Sequence, residues 1–134
     1  MSDTDLKVII KAKELAVHTF KLTSSTNRYP KKYRYALVPK IQNKCLEIYT
    51  TLFEANRISN QTHKRLRLEM ITQAITYCDE LLFFIELSMN IGLFSKQTDN
   101  QDEEPHPNKT AEYWSKMVSD VKHMALAWRK SEQQ

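Results

Sequence analysis

The sequence predicts an all-α protein built as an antiparallel up-down-up-down four-helix bundle. The 134 residues contain a single glycine, which argues against β-hairpin turns and glycine-rich phosphate loops because both need glycine's freedom at positive φ. Four segments place apolar residues at helical spacing, and three breaks separate them. Amphipathic helices joined by mostly short connections pack as a bundle. With 41% apolar residues, residues 1–134 are predicted to form one domain around one core.

The first two predicted helices occupy the N-terminal half. The first runs from about Thr4 to Leu22 and stops in the polar residues 23–27. The second is predicted to begin around Pro39, since proline is tolerated in a first helical turn, and to end near Arg57. Its apolar arc spans roughly 180° instead of the ~100° of an ordinary surface helix. The extra stripe that widens it predicts an oligomer interface, and it consists of Leu46, Tyr49 and Phe53.

The third and fourth predicted helices flank an acidic segment. The third runs from about Thr62 to Leu93, with Gly92 ending it, and the fourth runs from about Lys109 to Lys130. Residues 95–108 (SKQTDNQDEEPHPN) are polar, acidic and interrupted by two prolines. Such a composition cannot bury enough apolar surface to order itself, so it predicts a mobile loop.

Composition also predicts the compartment. Cys45 and Cys78 lie at apolar helical positions without metal-ligand spacing, a pattern typical of buried reduced thiols and of the cytoplasm. The N-terminal residues are charged from the third position, which argues against a secretory signal. The longest apolar run, residues 81–85, is too short to span a membrane. We therefore expect a cytoplasmic protein without a membrane anchor, metal or other cofactor.

A basic, tyrosine-containing segment is the strongest functional signal. The 20 Lys and Arg residues exceed the 16 Asp and Glu residues, and residues 28–46 carry six cations and no acid. Cations without interleaved acids favour a polyanionic partner over a merely solvated face. Tyrosines among them can stack on unpaired bases, or Tyr29 and Tyr35 can pack onto the bundle end. The candidate RNA- or partner-binding residues are Arg28, Lys31, Lys32, Tyr33, Arg34, Lys40, Lys44, Lys64, Arg65 and Arg67.

Candidate catalytic residues are few. Arg57 and His63 have the Arg-x5-His spacing that resembles the ribonuclease motif of HEPN domains, in which histidine would act as acid or base and arginine would hold phosphate. The alternative interpretation is an ordinary turn followed by a basic helix start. His18 is interpreted as a hydrogen-bonded helix histidine, and no inward Glu-x-x-His pair indicates a di-metal bundle.

Several short motifs together resemble a known family. The segment YPKKYRYAL at residues 29–37 is followed by Ile41, by Leu-Glu-Ile at 46–48 and by Ala-Asn at 55–56, and the chain ends its last helix with LAWRK at 126–130. This pattern resembles the four-helix bundles encoded in bacterial ribosomal-RNA intervening sequences and the accessory variability protein (Avd) of diversity-generating retroelements. Alanine stands where that family commonly has glycine before the tryptophan. The resemblance covers roughly residues 6 to 130.

Within this family, the dense basic segment and the long third helix resemble the Avd branch. That resemblance implies a protein that is not an enzyme, a basic homopentamer that binds the element's reverse transcriptase and its structured RNA to support error-prone cDNA synthesis. Two alternatives remain open from the sequence. They are a HEPN-like ribonuclease using Arg57 and His63, and an RNA-binding bundle of the ribosomal-RNA intervening-sequence type.

Overall fold

The protein is a bundle of four antiparallel helices, seen here in a computed structural model that describes residues 3–96, 106–107 and 109–134. The elements are α1 (Asp3–Thr23), α2 (Lys31–Arg57), α3 (Lys64–Asn90), β1 (Ser95–Lys96), β2 (His106–Pro107) and α4 (Lys109–Glu132). Helix α1 packs against α2 and α4, and α3 packs against the same two helices. This arrangement confirms the predicted all-α up-down-up-down bundle.

The topology gives the bundle two ends. The connections from α1 to α2 and from α3 to α4 lie at one end, which we call the upper end. The α2–α3 connection lies at the opposite, lower end, together with the end of α4. Since α2 has 27 residues, the two ends are about 40 Å apart at ~1.5 Å per residue.

The core follows the predicted apolar periodicity. The heptad positions of α4 are all buried, with exposed fractions of 2% or less, and they are Trp114, Val118, Val121, Ala125 and Trp128. One polar group is built into this core. The Trp114 indole N–H donates to the buried Thr19 hydroxyl at 3.0 Å, so a fully buried tryptophan keeps its donor satisfied.

Helix α2 begins at Lys31, so the predicted start near Pro39 is wrong. Pro30 occupies the N-cap position with φ −68°, which suits the fixed φ of proline. Pro39 lies inside the helix but is exposed, so its ring and the lost backbone hydrogen bond face water. Leu37 and Val38 are buried, and their packing holds the first two turns in helical form against the cost of an internal proline.

The end of α3 differs slightly from the prediction. The helix stops at Asn90, and Gly92 adopts φ +91°, a left-handed conformation that glycine takes without strain. The Leu93 N–H then donates to the Ser88 carbonyl at 3.0 Å, which closes the helix. The chain turns back so that Phe94 is 1% exposed. Gly92 therefore ends α3 as predicted. The last helical residue is Asn90, three residues before the predicted end at Leu93.

The acidic segment after α3 has paired ends. The backbones of Ser95–Lys96 and His106–Pro107 form a two-stranded antiparallel ladder, which the sequence did not predict. Residues 97–105 and 108 lie outside the described residues, so the prediction of a mobile loop is not addressed. Among the helices that the structure describes, none combines the length and the apolar run required to cross a bilayer.

Candidate nucleic-acid interface

Tyr29 is a core residue of the upper end. Its ring is fully buried, its hydroxyl donates to Ser88 Oγ at 2.9 Å, and it meets Phe94 edge to face at 6.2 Å. Burial raises the Tyr29 pKa to about 12, although the Ser88 hydrogen bond and the charge of Arg28 oppose that rise. Of the two interpretations left open, packing onto the bundle end holds for Tyr29.

Lys31 and Lys32 are exposed in the first turn of α2. That turn contains no acidic residue, although the helix dipole favours acids there and disfavours cations. The lysines and the positive end of the dipole therefore add to one another. Neither lysine forms an ion pair with another described residue, so both charges stay available to an anionic partner.

Tyr33 and Tyr35 differ in their surroundings. Tyr33 is half-buried against the core, and the Lys32 ammonium lies 5.3 Å from its ring centroid. Tyr35 is 77% exposed, so its ring has a free face on which a base could stack. Arg28 lies over the Phe94 ring at 4.7 Å and is half-buried. The upper end thus presents two free lysines beside one free tyrosine.

Arg34 has a structural role. Its guanidinium donates to the carbonyls of Thr23 at 3.1 Å and Ser24 at 3.0 Å. These carbonyls belong to the C-terminal end of α1, where helix carbonyls lack partners within the helix. Arg34 therefore ties the start of α2 to the end of α1, which the sequence pattern did not indicate.

We expect Arg34→Ala to lower the free energy of unfolding by about 1 kcal/mol, because two charge-assisted hydrogen bonds at a half-exposed site are lost. Arg34→Lys should recover only part of this, since an ammonium cannot span two carbonyls as a planar guanidinium does. Urea denaturation of the three proteins measures the difference. Equal stabilities would contradict the capping role.

Two lysines in the middle of α2 differ: Lys40 is exposed, and Lys44 forms ion pairs with carboxylates of the same chain. Lys40 is exposed, whereas the Lys44 ammonium bonds Glu80 at 2.5 Å and Glu47 at 3.0 Å and lies 4.6 Å from the Tyr77 ring centroid. Burial opposes the charged form of Lys44, but the two carboxylates outweigh it, so its pKa is raised. The charge of Lys44 is thus largely balanced within the chain.

The three basic residues at the start of α3 differ in their exposure to solvent. Lys64 is half-buried, and Arg65 is exposed and bonds Glu69 at 3.2 Å. Arg67 is instead 8% exposed. Its guanidinium donates to the Ile58 carbonyl at 2.8 Å and to Glu132 at 2.7 Å. Arg67 therefore belongs to the interior and is not part of a contact surface for RNA.

Glu132 completes a buried cluster at the lower end. One of its oxygens accepts from both Arg67 and the Trp128 indole N–H, the latter at 3.0 Å. The Arg67 guanidinium also lies 5.1 Å from the Trp128 ring centroid. The cluster joins α3, α4 and the end of α2, and periodicity could not reveal it because 65 residues separate the two charged partners.

Arg57 and His63 have separate partners at the lower end. The Arg57 guanidinium lies 5.9 Å from the Phe53 ring centroid, and His63 Nδ1 is 2.9 Å from the Thr62 hydroxyl. Both side chains are exposed. The two side chains therefore contact different residues of the lower end.

Two further lysines reach the upper end. Lys21 lies in the last turn of α1, and Lys109 is the first residue of α4; both are exposed. Sequence reasoning did not include them because they are far from the basic segment along the chain. The predicted up-down topology was the signal that could have placed them there.

The predicted interface stripe is partly exposed. Leu46 and Phe53 are 43% and 40% exposed, and the Tyr49 and Phe53 rings stack with centroids 6.0 Å apart. We call these three residues the α2 ridge.

Comparison with known proteins extends only to the architecture. No protein-family model matches the sequence, and no curated protein matches it. A crystal structure at 1.70 Å of a protein with unknown function, from the S23 ribosomal protein family of Bacteroides thetaiotaomicron, superposes with a TM-score of 0.74. The two share 14% identity over 95% of this chain and 98% of that chain. The likeness shows the fold.

The described residues also include two buried cysteines and a partly buried histidine. Burial raises the pKa of Cys45 to about 11 and that of Cys78 to about 12, which keeps both thiols protonated and unreactive. His18 packs edge to face on Tyr113 at 5.4 Å, and its Nε2 is buried without a hydrogen-bond partner among the described residues. This differs from the hydrogen-bonded histidine we expected. The described residues contain no cluster of His, Cys, Asp and Glu that could hold a metal ion.

Proposed function

We propose that this protein is a basic, oligomeric RNA-binding bundle. In this proposal it acts as a non-enzymatic accessory protein of a diversity-generating retroelement, binding the reverse transcriptase and its structured RNA to support mutagenic cDNA synthesis. The observation that carries the RNA-binding part is the exposed first turn of α2. There Lys31 and Lys32 lie without acidic neighbours at the positive end of a helix dipole. The retroelement part rests on the resemblance of residues 29–37 and 126–130 to Avd-like proteins.

The upper end has the composition of a surface that binds single-stranded or irregular RNA. Cations from three elements meet there, and Tyr35 provides an exposed ring. Phosphate contacts would supply affinity and orientation, and stacking on Tyr35 would favour unpaired bases. Arg34, Lys44 and Arg67 contribute through the integrity of the bundle, because their charges are engaged within the chain.

A ribosomal RNA partner is the second candidate. The structural neighbour, a protein with unknown function, comes from the S23 ribosomal protein family, and the word ribosomal in that name is what motivates this alternative. The same lysines would contact phosphates in either case. A third candidate, a HEPN-like ribonuclease, would need Arg57 and His63 to meet residues of a second chain.

The test measures RNA affinity as a function of salt. We expect Lys31→Ala/Lys32→Ala to weaken binding by roughly 10- to 30-fold at about 0.1 M salt and to reduce the log-log slope by about 1.4, since each single-strand phosphate contact contributes about 0.7. Lys7→Ala/Lys13→Ala removes the same charge from exposed positions of α1 and is the matched control. Equal losses in both variants would reduce the effect to net charge and contradict a localised interface.

The same experiment separates the candidate partners. The protein is titrated with the structured RNA encoded beside a reverse transcriptase gene and with a ribosomal RNA fragment of equal length. Preference for the first, together with co-purification of the reverse transcriptase, supports the retroelement proposal; preference for the second supports the ribosomal alternative. RNA cleavage that His63→Ala abolishes would show a ribonuclease instead, and absence of RNA binding would overturn the proposal.

A further inference from the structure

The lower end of the bundle also presents cations, and α3 and α4 hold them in place together. The buried Arg67 guanidinium donates to Glu132 at 2.7 Å, which fixes the start of α3 against the end of α4. Lys64 lies one turn before Arg67 on α3. Arg129 lies one turn before Glu132 on α4. The buried ion pair therefore brings two outer cations, Lys64 and Arg129, to the same side of the bundle.

These two cations flank one depression in the protein surface. The Arg129 guanidinium reaches across to α3 and donates to the Thr72 hydroxyl at 3.3 Å. A depression of about 750 Å³ follows this part of α3, and Lys64, Arg65, Thr72 and Gln73 are among the residues that line it. Because Lys64 and Thr72 are eight residues apart, they share one face of α3 and are separated by about 12 Å along it.

Four basic side chains make this part of the lower end positive: Lys64, Arg65, Arg129 and Lys130. We call them the lower basic surface. Arg65 bonds Glu69 at 3.2 Å, but the two side chains are 94% and 60% exposed, so water screens that pair. The other three cations form no ion pair with a described residue, since the Arg129 bond is to a neutral hydroxyl. Glu69 is the one acid among the described residues that line the depression, and the surface keeps a net positive charge.

A stretch of balanced charge separates the lower basic surface from the upper end. Along the middle of α3, the Lys44 ammonium pairs with Glu80 at 2.5 Å. The Lys122 ammonium pairs with Asp79 at 2.6 Å. Each of these cations is matched by a carboxylate, so the two cationic ends are separate surfaces and do not form one continuous stripe.

The distance between the two surfaces follows from the same ion pair. Because Lys44 lies opposite Glu80 and α2 and α3 are antiparallel, Lys32 is level with residue 92 of α3. Thr72 and Lys64 are 20 and 28 residues from that level, or about 30 and 42 Å along the helix. A short RNA segment bound at one end therefore does not reach the other.

The lining of the depression suits phosphate groups. Lysine and arginine form charge-assisted hydrogen bonds with phosphate oxygens, and Thr72 and Gln73 add neutral donors of the kind that contact sugar and phosphate. No aromatic side chain is among the described residues that line the depression. It offers backbone contact without base stacking, unlike the upper end with its exposed Tyr35.

We infer that the lower basic surface is a second phosphate-binding site, so that one chain holds two RNA segments, one at each end of the bundle. The inference rests on the proposed RNA-binding function and adds a bridging role to it. Because the lower site lacks a stacking ring, it binds more weakly than the upper site. It accounts for the binding that remains after Lys31 and Lys32 are replaced.

The test counts RNA molecules per chain. The probe is an RNA hairpin whose stem of about four base pairs is about 14 Å long at about 3.4 Å per base pair, too short to connect the two ends. Titration at low salt, read by native mass spectrometry, should give two hairpins for each unmodified chain. The count is made per chain, so it does not depend on whether chains associate through the α2 ridge.

Paired substitutions assign each hairpin to one end. Lys64→Ala/Arg129→Ala should reduce the count to one hairpin per chain. Lys31→Ala/Lys32→Ala should also leave one, bound at the lower basic surface with a weaker affinity. Combining the four substitutions should abolish binding, and far-UV circular dichroism checks that every variant is folded.

Three controls separate a local site from net charge and from damage to the fold. Lys64→Arg/Arg129→Lys keeps both charges and should keep two hairpins. Lys7→Ala/Lys13→Ala removes the same charge from exposed positions of α1 and should keep two as well. Glu69→Gln removes the acid of the depression and should tighten the second hairpin several-fold, a gain that unfolding does not produce.

The outcomes separate this inference from the proposed function. Two hairpins retained by Lys64→Ala/Arg129→Ala overturn the inference, and loss of reverse transcriptase binding in that variant would then assign the surface to a protein partner. A single hairpin that only Lys31→Ala/Lys32→Ala removes overturns it too and leaves the proposed function standing. A single hairpin that only Lys64→Ala/Arg129→Ala removes would support the lower site and contradict the proposed upper one. An unmodified chain that binds no hairpin contradicts both.

Discussion

Replacing Glu132 by alanine should lower the free energy of unfolding by about 3 kcal/mol, although Glu132 is the last residue of α4. The Arg67 and Glu132 side chains are each 10% exposed. Removing one member of a buried ion pair strands the other charge, which costs about 3 to 5 kcal/mol. The Trp128 indole N–H loses its acceptor at the same time. Because the end of a helix frays, part of this cost is relieved by local opening of α4, so we expect the lower limit of that range.

Asp120→Ala is the matched control for this experiment. Asp120 also pairs with a cation, Lys116 at 3.2 Å, but the two side chains are 54% and 73% exposed. An exposed pair contributes about 0.5 kcal/mol or less. Urea denaturation at one fixed protein concentration provides the comparison, since association makes stability concentration-dependent.

The double variant Arg67→Met/Glu132→Leu tests the mechanism of that loss. It removes both charges together, so it should be more stable than Glu132→Ala alone. The loss in Glu132→Ala should also change little between low and high salt, because buried charges are weakly screened. A loss as small as that of Asp120→Ala would show that the cluster is solvated in solution.

Replacing Trp114 by alanine should cost about 3 to 5 kcal/mol. Trp114 is fully buried, and its ring centroid lies 6.0 Å from that of Phe94. Truncation to alanine removes apolar contact area and leaves a cavity. Trp114→Phe keeps most of the ring volume but removes the donor that serves Thr19. It should therefore cost only about 1 to 2 kcal/mol.

Phe83→Ala is the control for aromatic truncation, because Phe83 is 57% exposed and should lose less than about 1 kcal/mol. The three variants are compared by urea denaturation. A loss in Trp114→Ala no larger than that in Phe83→Ala would mean that the upper core repacks around the missing ring.

The features predicted correctly from the sequence are those that depend on periodic burial. The heptad from Trp114 to Trp128 and the alternating stripe of α2 recur every three or four residues, so each neighbour supports the next. The start of α2 was missed because Pro39 looks like a helix beginning when its exposure is unknown. Burial of Leu37 and Val38 stabilises the helix before Pro39 and outweighs the preference of proline for a first helical turn.

The misplaced site residues share a different cause. Cations look alike in a sequence, yet Lys31 is free in solvent whereas Arg34 and Arg67 bind carbonyls or a carboxylate from distant positions. Those partners are separated by 11 and 65 residues, and no local pattern marks them. Tyr29 and Tyr35 show the same difference. The fold buries Tyr29 against Ser88 and leaves Tyr35 exposed to solvent, and nothing in the local sequence distinguishes the two.

Pro39 has a consequence for motion. An ordinary helix ties each point of its backbone with overlapping hydrogen bonds between residues four apart, but residue 39 has no amide proton to bond the Tyr35 carbonyl. The first two turns of α2, which carry Lys31 and Lys32, are therefore tied less tightly to the remainder of the helix. Local opening there needs less free energy than opening of the core, and amide hydrogens of residues 31–38 would exchange sooner than those of residues 41–55. In the proposed complex, this freedom would let the cation-bearing turns adjust to an irregular RNA surface while the bundle below stays rigid.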